Sequence, residues 1–522
     1  MMKLSSLRFA SLLLPLGHLA FACESEQCGD LVQTLAHRLP NTTVRSAEYI
    51  KAGANLFAPA THSTCTEFNS TMPFNFCRVR MQTRTGPDSA VDFETWLPSN
   101  WTGRFLAVGN GGLGGCIAYS DMAYGGQRGF AVVGTNNGHD GNTGLPFFNS
   151  SGVLEDYAYR AVHTGVVIGK QATAAFYGQK HTRAYWLGCS TGGRQGFMEA
   201  QMFPNDFDGI VAGAPAFAFT SLMLWEGFFY TITGGPRSPT FISESLWSSV
   251  YQDIMKQCDG LDGRVDGIIE DPDLCQYRPE SLICTLGQNT SCLTGVQAET
   301  VRRVFSPLYG GDGKMVYPRI TPGTDSASSL WSGTMFRYSL EWLRYVVYKN
   351  PSWNGTIGIQ DIEAALKVSA FGVDAFNGDL SEARRLGTKI LHYHGLADPL
   401  ISPENSARYY NHVSRTMQLP SGKLDDFYRF FRISGMAHCA GGPGATYIGN
   451  RATALAGEEP DRNVLAAIVE WVEKGKAPEY ILGTALDRDN QTAFQRRHCK
   501  YPLRNVYSGS GDPNSADSWN CI

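Results

Sequence analysis

The chain of 522 residues has no excess of either charge: 44 Lys and Arg stand against 48 Asp and Glu, a net of −4, with no basic stripe. A polyanionic partner such as nucleic acid therefore has no electrostatic footing, and the substrate is expected to be neutral or of mixed charge. Beyond the N-terminal segment no apolar run is long enough to span a bilayer, and the C-terminal Asp517-Ser518-Trp519-Asn520-Cys521-Ile522 is no hydrophobic anchor tail, so no membrane partner is expected. Internal repeats and low-complexity linkers are also missing. The 13 cysteines include no CxxC pair, which points to a disulfide framework rather than a cysteine metal site.

At the N-terminus, Lys3 and Arg8 precede the apolar Leu12-Leu13-Leu14, and Ala20-Phe21-Ala22 follows as a small-residue cleavage site. Residues 1–22 thus read as a secretory signal peptide, with a released, extracellular mature chain starting near Cys23, the odd cysteine of the set. Seven sequons, at Asn41, Asn69, Asn100, Asn149, Asn289, Asn354 and Asn490, suit glycosylation on that route.

Hydrophobic patterning predicts strands at Asp92 to Leu97, Arg104 to Val108, Gly129 to Gly134 and Arg183 to Leu187, and a helix from Asp156 to Tyr177. After Pro215 the sequence turns aromatic-rich and loop-rich. Buried-strand patterns resume at Lys389 to Gly395 and at Phe427 to Ile433. Alternating strands and helices around a parallel sheet give an α/β class. The expected division is a first catalytic part over 23–214, an inserted lid over 215–379, and a second catalytic part over 380–522.

Gly188-Cys189-Ser190-Thr191-Gly192 fits the GxSxG elbow that raises a serine hydroxyl above the sheet of an α/β-hydrolase. A serine hydroxyl needs a base within reach, itself oriented by a carboxylate. In this fold the acid and histidine follow later strands, and Asp398 and His438 lie just past the last two predicted ones. Asp206 and Asp208 compete for the acid but follow the serine too closely. His392 and His394 compete for the base, but their alternation in a strand suggests one buried and one surface position. The amide of Thr191 would be one oxyanion donor, and the glycine loop 109–115, with Gly111 or Gly112, the other. Cysteines adjoin both Ser190 and His438; if Cys189 and Cys439 pair, the two catalytic loops are tied together.

Within the insertion, Asp259-Gly260-Leu261-Asp262-Gly263-Arg264-Val265-Asp266-Gly267-Ile268 offers three carboxylates among glycines. It suits a hard oxygen-bound cation, although a solvated acidic turn reads equally well. Trp225, Phe228, Phe229, Tyr230, Trp247, Trp331 and Trp353 could cover an aromatic substrate, most of them serving as lid core and about two as pocket wall.

The segments Gly109 to Cys116, Gly188 to Gly196 and Gly435 to Cys439 resemble the tannase and feruloyl esterase family, and most of all fungal type-B feruloyl esterases. The resemblance spans essentially the mature chain. It implies Ser190, Asp398 and His438 as nucleophile, acid and base, and disulfides Cys189 to Cys439, Cys28 to Cys77, Cys65 to Cys116, Cys258 to Cys275, Cys284 to Cys292 and Cys499 to Cys521. It also implies structural Ca2+ held by the side chains of Asp259, Asp262 and Asp266 and the carbonyls of Arg264 and Ile268, with no organic cofactor. The activity implied is hydrolysis of feruloyl esters of plant cell walls. The alternatives are a tannase acting on gallate esters and a catalytically silent hydrolase fold used for binding.

Overall fold

Nine segments rich in valine, isoleucine and aromatic residues hydrogen-bond into one sheet in the computed structural model, which describes residues 16–288, 290–324, 328–368 and 370–522. They are β1 (Thr42–Ile50), β2 (Phe76–Arg84), β3 (Ala90–Pro98), β4 (Arg104–Val108), β5 (Phe130–Thr135), β6 (Arg183–Cys189), β7 (Gly209–Gly213), β8 (Lys389–Gly395) and β9 (Tyr428–Ile433). Their spatial order is β1-β2-β3-β5-β4-β6-β7-β8-β9. From β5 to β9 every pairing is parallel. The expectation of an all-parallel sheet fails at the N-terminal edge, where β1, β2 and β3 pair antiparallel with one another and with β5. The connection from Arg84 to Ala90 is a short turn, which closes a hairpin and is too short for a parallel crossover.

Six helices matter to the site: α1 (Tyr119–Gln127), α2 (Ala161–Tyr177), α3 (Thr191–Met202), α4 (Phe219–Thr233), α5 (Pro403–Met417) and α6 (Val464–Lys474). Alternate strand residues serve opposite faces. Phe105, Ala107 and Trp186 pack with Val162 and Val166 of α2, Phe197 of α3 and Tyr409 of α5. Leu106, Val108 and Leu187 pack on the other side with Met122 of α1 and Ile468 and Trp471 of α6. Both faces are thus covered, which explains the near-continuous apolar runs of β5 and β8. The helix predicted from Asp156 begins instead with a π-helical turn over Asp156–Arg160 before α2 continues it.

Residues between β7 and β8 pack around a separate apolar cluster that includes Leu224, Trp225, Trp247, Trp331 and Trp342. Leu113, from the loop after β4, and Ile401, from the loop after β8, join that cluster. The inserted segment therefore sits over the carboxyl ends of the strands, where ligands of open α/β sheets bind. Residues 1–15 of the expected leader, and the sequon Asn289, lie outside the described residues; Leu16–Arg38 is helical. Among the described residues no helix is long and apolar enough to cross a membrane.

Candidate active site

β6 runs into Ser190 and α3 starts at the next residue, so the serine occupies a strand-to-helix elbow. Its backbone has φ 66° and ψ −123°, a region costly for a residue with a Cβ. The turn is held from three sides: Ser190 N donates to Gly213 O at 3.0 Å, and Ser190 O accepts from Arg194 N at 3.1 Å and from Ala216 N at 3.2 Å. It also depends on close backbone approach, since a Cβ on Gly193 would lie 2.3 Å from Gly213 O. Arg194 is wholly buried and gives its guanidinium to the carbonyls of Tyr157, Ala158 and Val373, two of them from the π turn.

Gln195, one residue further along α3, reaches the glycine loop after β4. Its Oε1 accepts from Asn110 N and its Nε2 donates to Asn110 Oδ1, both at 3.0 Å. Thr191 Oγ1 adds a 2.6 Å hydrogen bond to Gly112 O. The loop's amides can then be accounted for one by one. Those of Gly109, Asn110, Leu113, Gly114 and Gly115 are committed to Leu187 O, Gln195 Oε1, Asn142 Oδ1, Gly111 O and Gly141 O. The amides of Gly111 and Gly112 are the two with no such commitment among the described residues, and both residues line the cavity in front of Ser190. Gly112 has φ +58°, and a Cβ there would lie 2.6 Å from Tyr338 Oη.

Asp398 follows β8 and His438 follows β9. The carboxylate is fully buried and receives four groups: His438 Nδ1 at 2.8 Å and His394 Nε2 at 3.2 Å on Oδ2, and the amides of Leu400 and Ile401 at 2.8 and 2.9 Å on Oδ1. Burial alone would raise its pKa, but the His438 charge and the hydrogen bonds from both histidines hold it far below the usual carboxylate range. His438 faces the cavity together with Ser190, and the Cys189–Cys439 disulfide, with Cα atoms 6.0 Å apart, joins the residues beside them. Cys439, like Ser190, has a positive φ, 64°.

The structure corrects the reading of His392 and His394. Residues two apart in a strand share a face, and both are completely buried. They form a chain behind the acid: Tyr428 Oη lies 2.9 Å from His392 Nδ1, His392 Nε2 lies 2.9 Å from Ser406 Oγ, and Ser406 Oγ lies 2.6 Å from His394 Nδ1. His394 Nε2 faces two acceptors, Asp398 Oδ2 and Ile401 O, so that nitrogen carries a hydrogen. Burial pushes His392 well below the ordinary histidine range, which keeps it neutral.

Asp206 and Asp208 sit elsewhere. Asp206 accepts from His163 at 2.7 Å, and Asp208 pairs with Arg183. His163, Glu199 and Asp206 bring their ligand atoms within 4.8 Å of one another, but Lys170 Nζ stands 3.7 Å from Asp206 Oδ1 and already supplies positive charge. The three aspartates of the 259–268 loop do not converge to that degree; their carboxylates instead accept the loop's own amides, those of Arg264, Asp266, Gly267 and Ile268.

The cavity at Ser190 measures about 390 Å³. Its aromatic wall is Phe219, Phe336 and Tyr338, and its aliphatic wall Leu222, Met223, Leu400 and Ile401. None of the seven aromatics proposed from the sequence lines it; Trp225, Phe229, Trp247 and Trp331 lie in the apolar core of the segment between β7 and β8. Asn110, Gln195, His394, Ser406 and Glu226 were not singled out for the site by sequence reasoning, except His394 as a rival base. Gln195 lay in a recognised motif, and Glu226 was visible as the one charged residue in an apolar helix.

Six disulfides are formed, Cys28–Cys77, Cys65–Cys116, Cys189–Cys439, Cys258–Cys275, Cys284–Cys292 and Cys499–Cys521, the set that the resemblance implied.

A family model described as tannase and feruloyl esterase matches residues 77–354 and 360–522. A probable feruloyl esterase B-2 of Aspergillus oryzae is 50% identical over 490 residues, 93% of each chain. The crystal structure of feruloyl esterase B from Aspergillus oryzae superposes with a TM-score of 0.93 at 47% identity, covering 96% of this chain and 100% of that one. Tannin acyl hydrolase from Aspergillus niger superposes with a TM-score of 0.72 at 22% identity over 95% of each chain, a likeness of fold.

Proposed function

The chain belongs to the tannase and feruloyl esterase family, and on that premise we propose that it is a secreted serine carboxylesterase that cleaves feruloyl and related hydroxycinnamoyl esters of plant cell-wall polysaccharides. The observation that carries the reading is the meeting, in one cavity, of the elbow serine and a histidine oriented by a buried, fully hydrogen-bonded carboxylate.

Ser190 Oγ attacks the ester carbonyl while His438 Nε2 takes its proton; Asp398, on Nδ1, fixes the tautomer and stabilises the imidazolium that forms. The oxyanion is met by the amide of Thr191 and by one from Gly111 or Gly112, the donors that the loop leaves uncommitted. His438 then protonates the leaving alkoxide, the sugar side of the ester. Water, deprotonated by His438, attacks the acyl-enzyme and releases the aromatic acid. The Cys189–Cys439 bridge keeps base and nucleophile in register through this cycle.

The insertion 215–379 acts as the lid whose walls receive the aromatic acid. Its loop 259–268 fits structural calcium in donor chemistry: Asp259, Asp262 and Asp266 with the carbonyls of Arg264 and Ile268 make an all-oxygen set. Burial pushes Asp262 up to about 6, and Asp266 and Asp259 add to the rise, so the loop carries negative charge that a divalent cation would offset. Export is supported by the leader pattern, the disulfides, and the exposure of all six described sequon asparagines, Asn41, Asn69, Asn100, Asn149, Asn354 and Asn490.

The test is hydrolysis of methyl ferulate against methyl gallate at equal concentration, with Ser190→Ala as blank. Preference for ferulate is expected; preference for gallate would make the chain a tannase, and silence on both would remove the esterase reading.

A further inference from the structure

Two carboxyl groups that the ester chemistry does not use line the cavity, Asp121 of α1 and Glu226 of α4, and the second stands on its apolar wall. Phe219, Leu222, Met223 and Glu226 recur on α4 at spacings that put them on one helix face, and all four line the cavity. Glu226 is 3% exposed, and its Oε2 has no hydrogen-bond partner among the described residues. A buried polar atom left unpaired is costly, and Glu226 carries one at the wall of a ligand cavity. Burial, with the charge of Asp398 adding, pushes Glu226 well above the ordinary glutamate range and favours the protonated acid. A carboxylic acid presents an O–H donor and a carbonyl acceptor side by side.

Position along α4 supplies the second part of the argument. The chain enters this helix beside the nucleophile, with Ala216 N on Ser190 O. Glu226 lies seven residues past Phe219, about 10 Å of helix rise. The wall between is apolar and suits a flat ring. An acyl group bonded at Ser190 and laid along this face brings the far edge of its ring to Glu226.

We propose that Glu226 recognises the oxygen substituents of the acyl ring, accepting the phenol O–H of a 4-hydroxy-3-methoxyphenyl group and donating to the neighbouring methoxyl oxygen. The proposal rests on the hydroxycinnamoyl reading above. The guaiacyl donor and acceptor sit on adjacent ring carbons and match the two oxygens of one carboxylic acid. A galloyl ring also carries hydroxyls, but it joins the ester carbonyl without the two-carbon spacer and falls short along α4.

The experiment compares kcat/KM for methyl ferulate and for methyl cinnamate, which has no ring oxygen, in the wild-type protein, Glu226→Gln and Glu226→Leu. Fluorophosphonate labelling of Ser190 reports that each variant is folded. Glu226→Leu is expected to lose about tenfold more on ferulate than on cinnamate. Glu226→Gln, which keeps a donor and an acceptor, is expected to retain most of the ferulate preference. Equal losses on both esters in Glu226→Leu would overturn the proposal and leave a packing role. If Glu226→Leu does not fold, the closer-sized Glu226→Met takes its place in the same comparison, and equal wild-type kcat/KM on the two esters overturns the proposal without any variant. Wild-type silence on both esters is a different result, and strikes the hydroxycinnamoyl reading itself.

Discussion

At Asp398 a single residue links the stability of the fold to its chemistry. Four donors converge on a carboxylate without solvent, so its folded pKa lies below its unfolded value near 4. The sign follows from linkage: the stabilisation is fully present above the unfolded value and is lost as pH falls through the folded one. Asp398→Asn removes the charge and leaves both histidines facing an amide. The variant is expected to be inactive and less stable than wild type by about 3 kcal/mol at neutral pH, with the difference constant down to about pH 4 and closing below it. Denaturant midpoints from pH 7 to pH 3 check this, and a gap that stays constant below pH 4 would show that the carboxylate is not held ionised. Sequence order singled out Asp398 as the candidate acid because it and the candidate base follow successive strands. The chain from Tyr428 through His392, Ser406 and His394 was not legible, since it depends on the parallel register of β8 and β9 and on a hydroxyl from α5.

Among the elements, the elbow and the loop after β4 behave as one unit. Gln195 and Thr191 of α3 hold Asn110 and Gly112, and the disulfide adds the loop after β9. That bridge closes a sequence separation of 250 residues, so it contributes about 5 kcal/mol by limiting the unfolded chain. Positioning is a separate effect. In Cys189→Ala with Cys439→Ala, assayed where circular dichroism shows the fold intact, kcat is expected to fall more than about tenfold with KM little changed. Full turnover in the folded double variant would make the bridge purely structural. The buried central strands were plain in the sequence because period and composition agreed there. The antiparallel edge was hidden, because a strand's pattern does not name its neighbour's direction. The π turn was hidden as well, since it exists to give carbonyls to Arg194, a residue distant in sequence. The aromatics after Pro215 misled for a similar reason: an aromatic that fills a core and one that lines a pocket have the same spacing, and only packing separates Trp225 from Phe219.

Over the whole molecule, a sheet covered on both faces carries an insertion that needs its own staples. Cys258–Cys275 and Cys284–Cys292 lie within it, and the first brackets the acidic loop. Arg496, from the hairpin near the C-terminus, reaches Asp266 at 2.6 Å, so the loop is tied to the chain that follows β9. Removing a bound cation would loosen both. Chelation is expected to lower Tm by roughly 5 °C and calcium to restore it; an unchanged Tm, with no metal retained by the purified protein, would exclude the site.

The central claim is that Ser190 carries the acyl group of a hydroxycinnamoyl ester. Acid quenching of the protein during turnover of methyl ferulate, followed by mass spectrometry of the peptide that contains Ser190, tests it most directly. A feruloyl adduct on Ser190, absent from Ser190→Ala, is the result expected. Turnover that persists in Ser190→Ala, with no adduct on the wild-type peptide, would contradict the account.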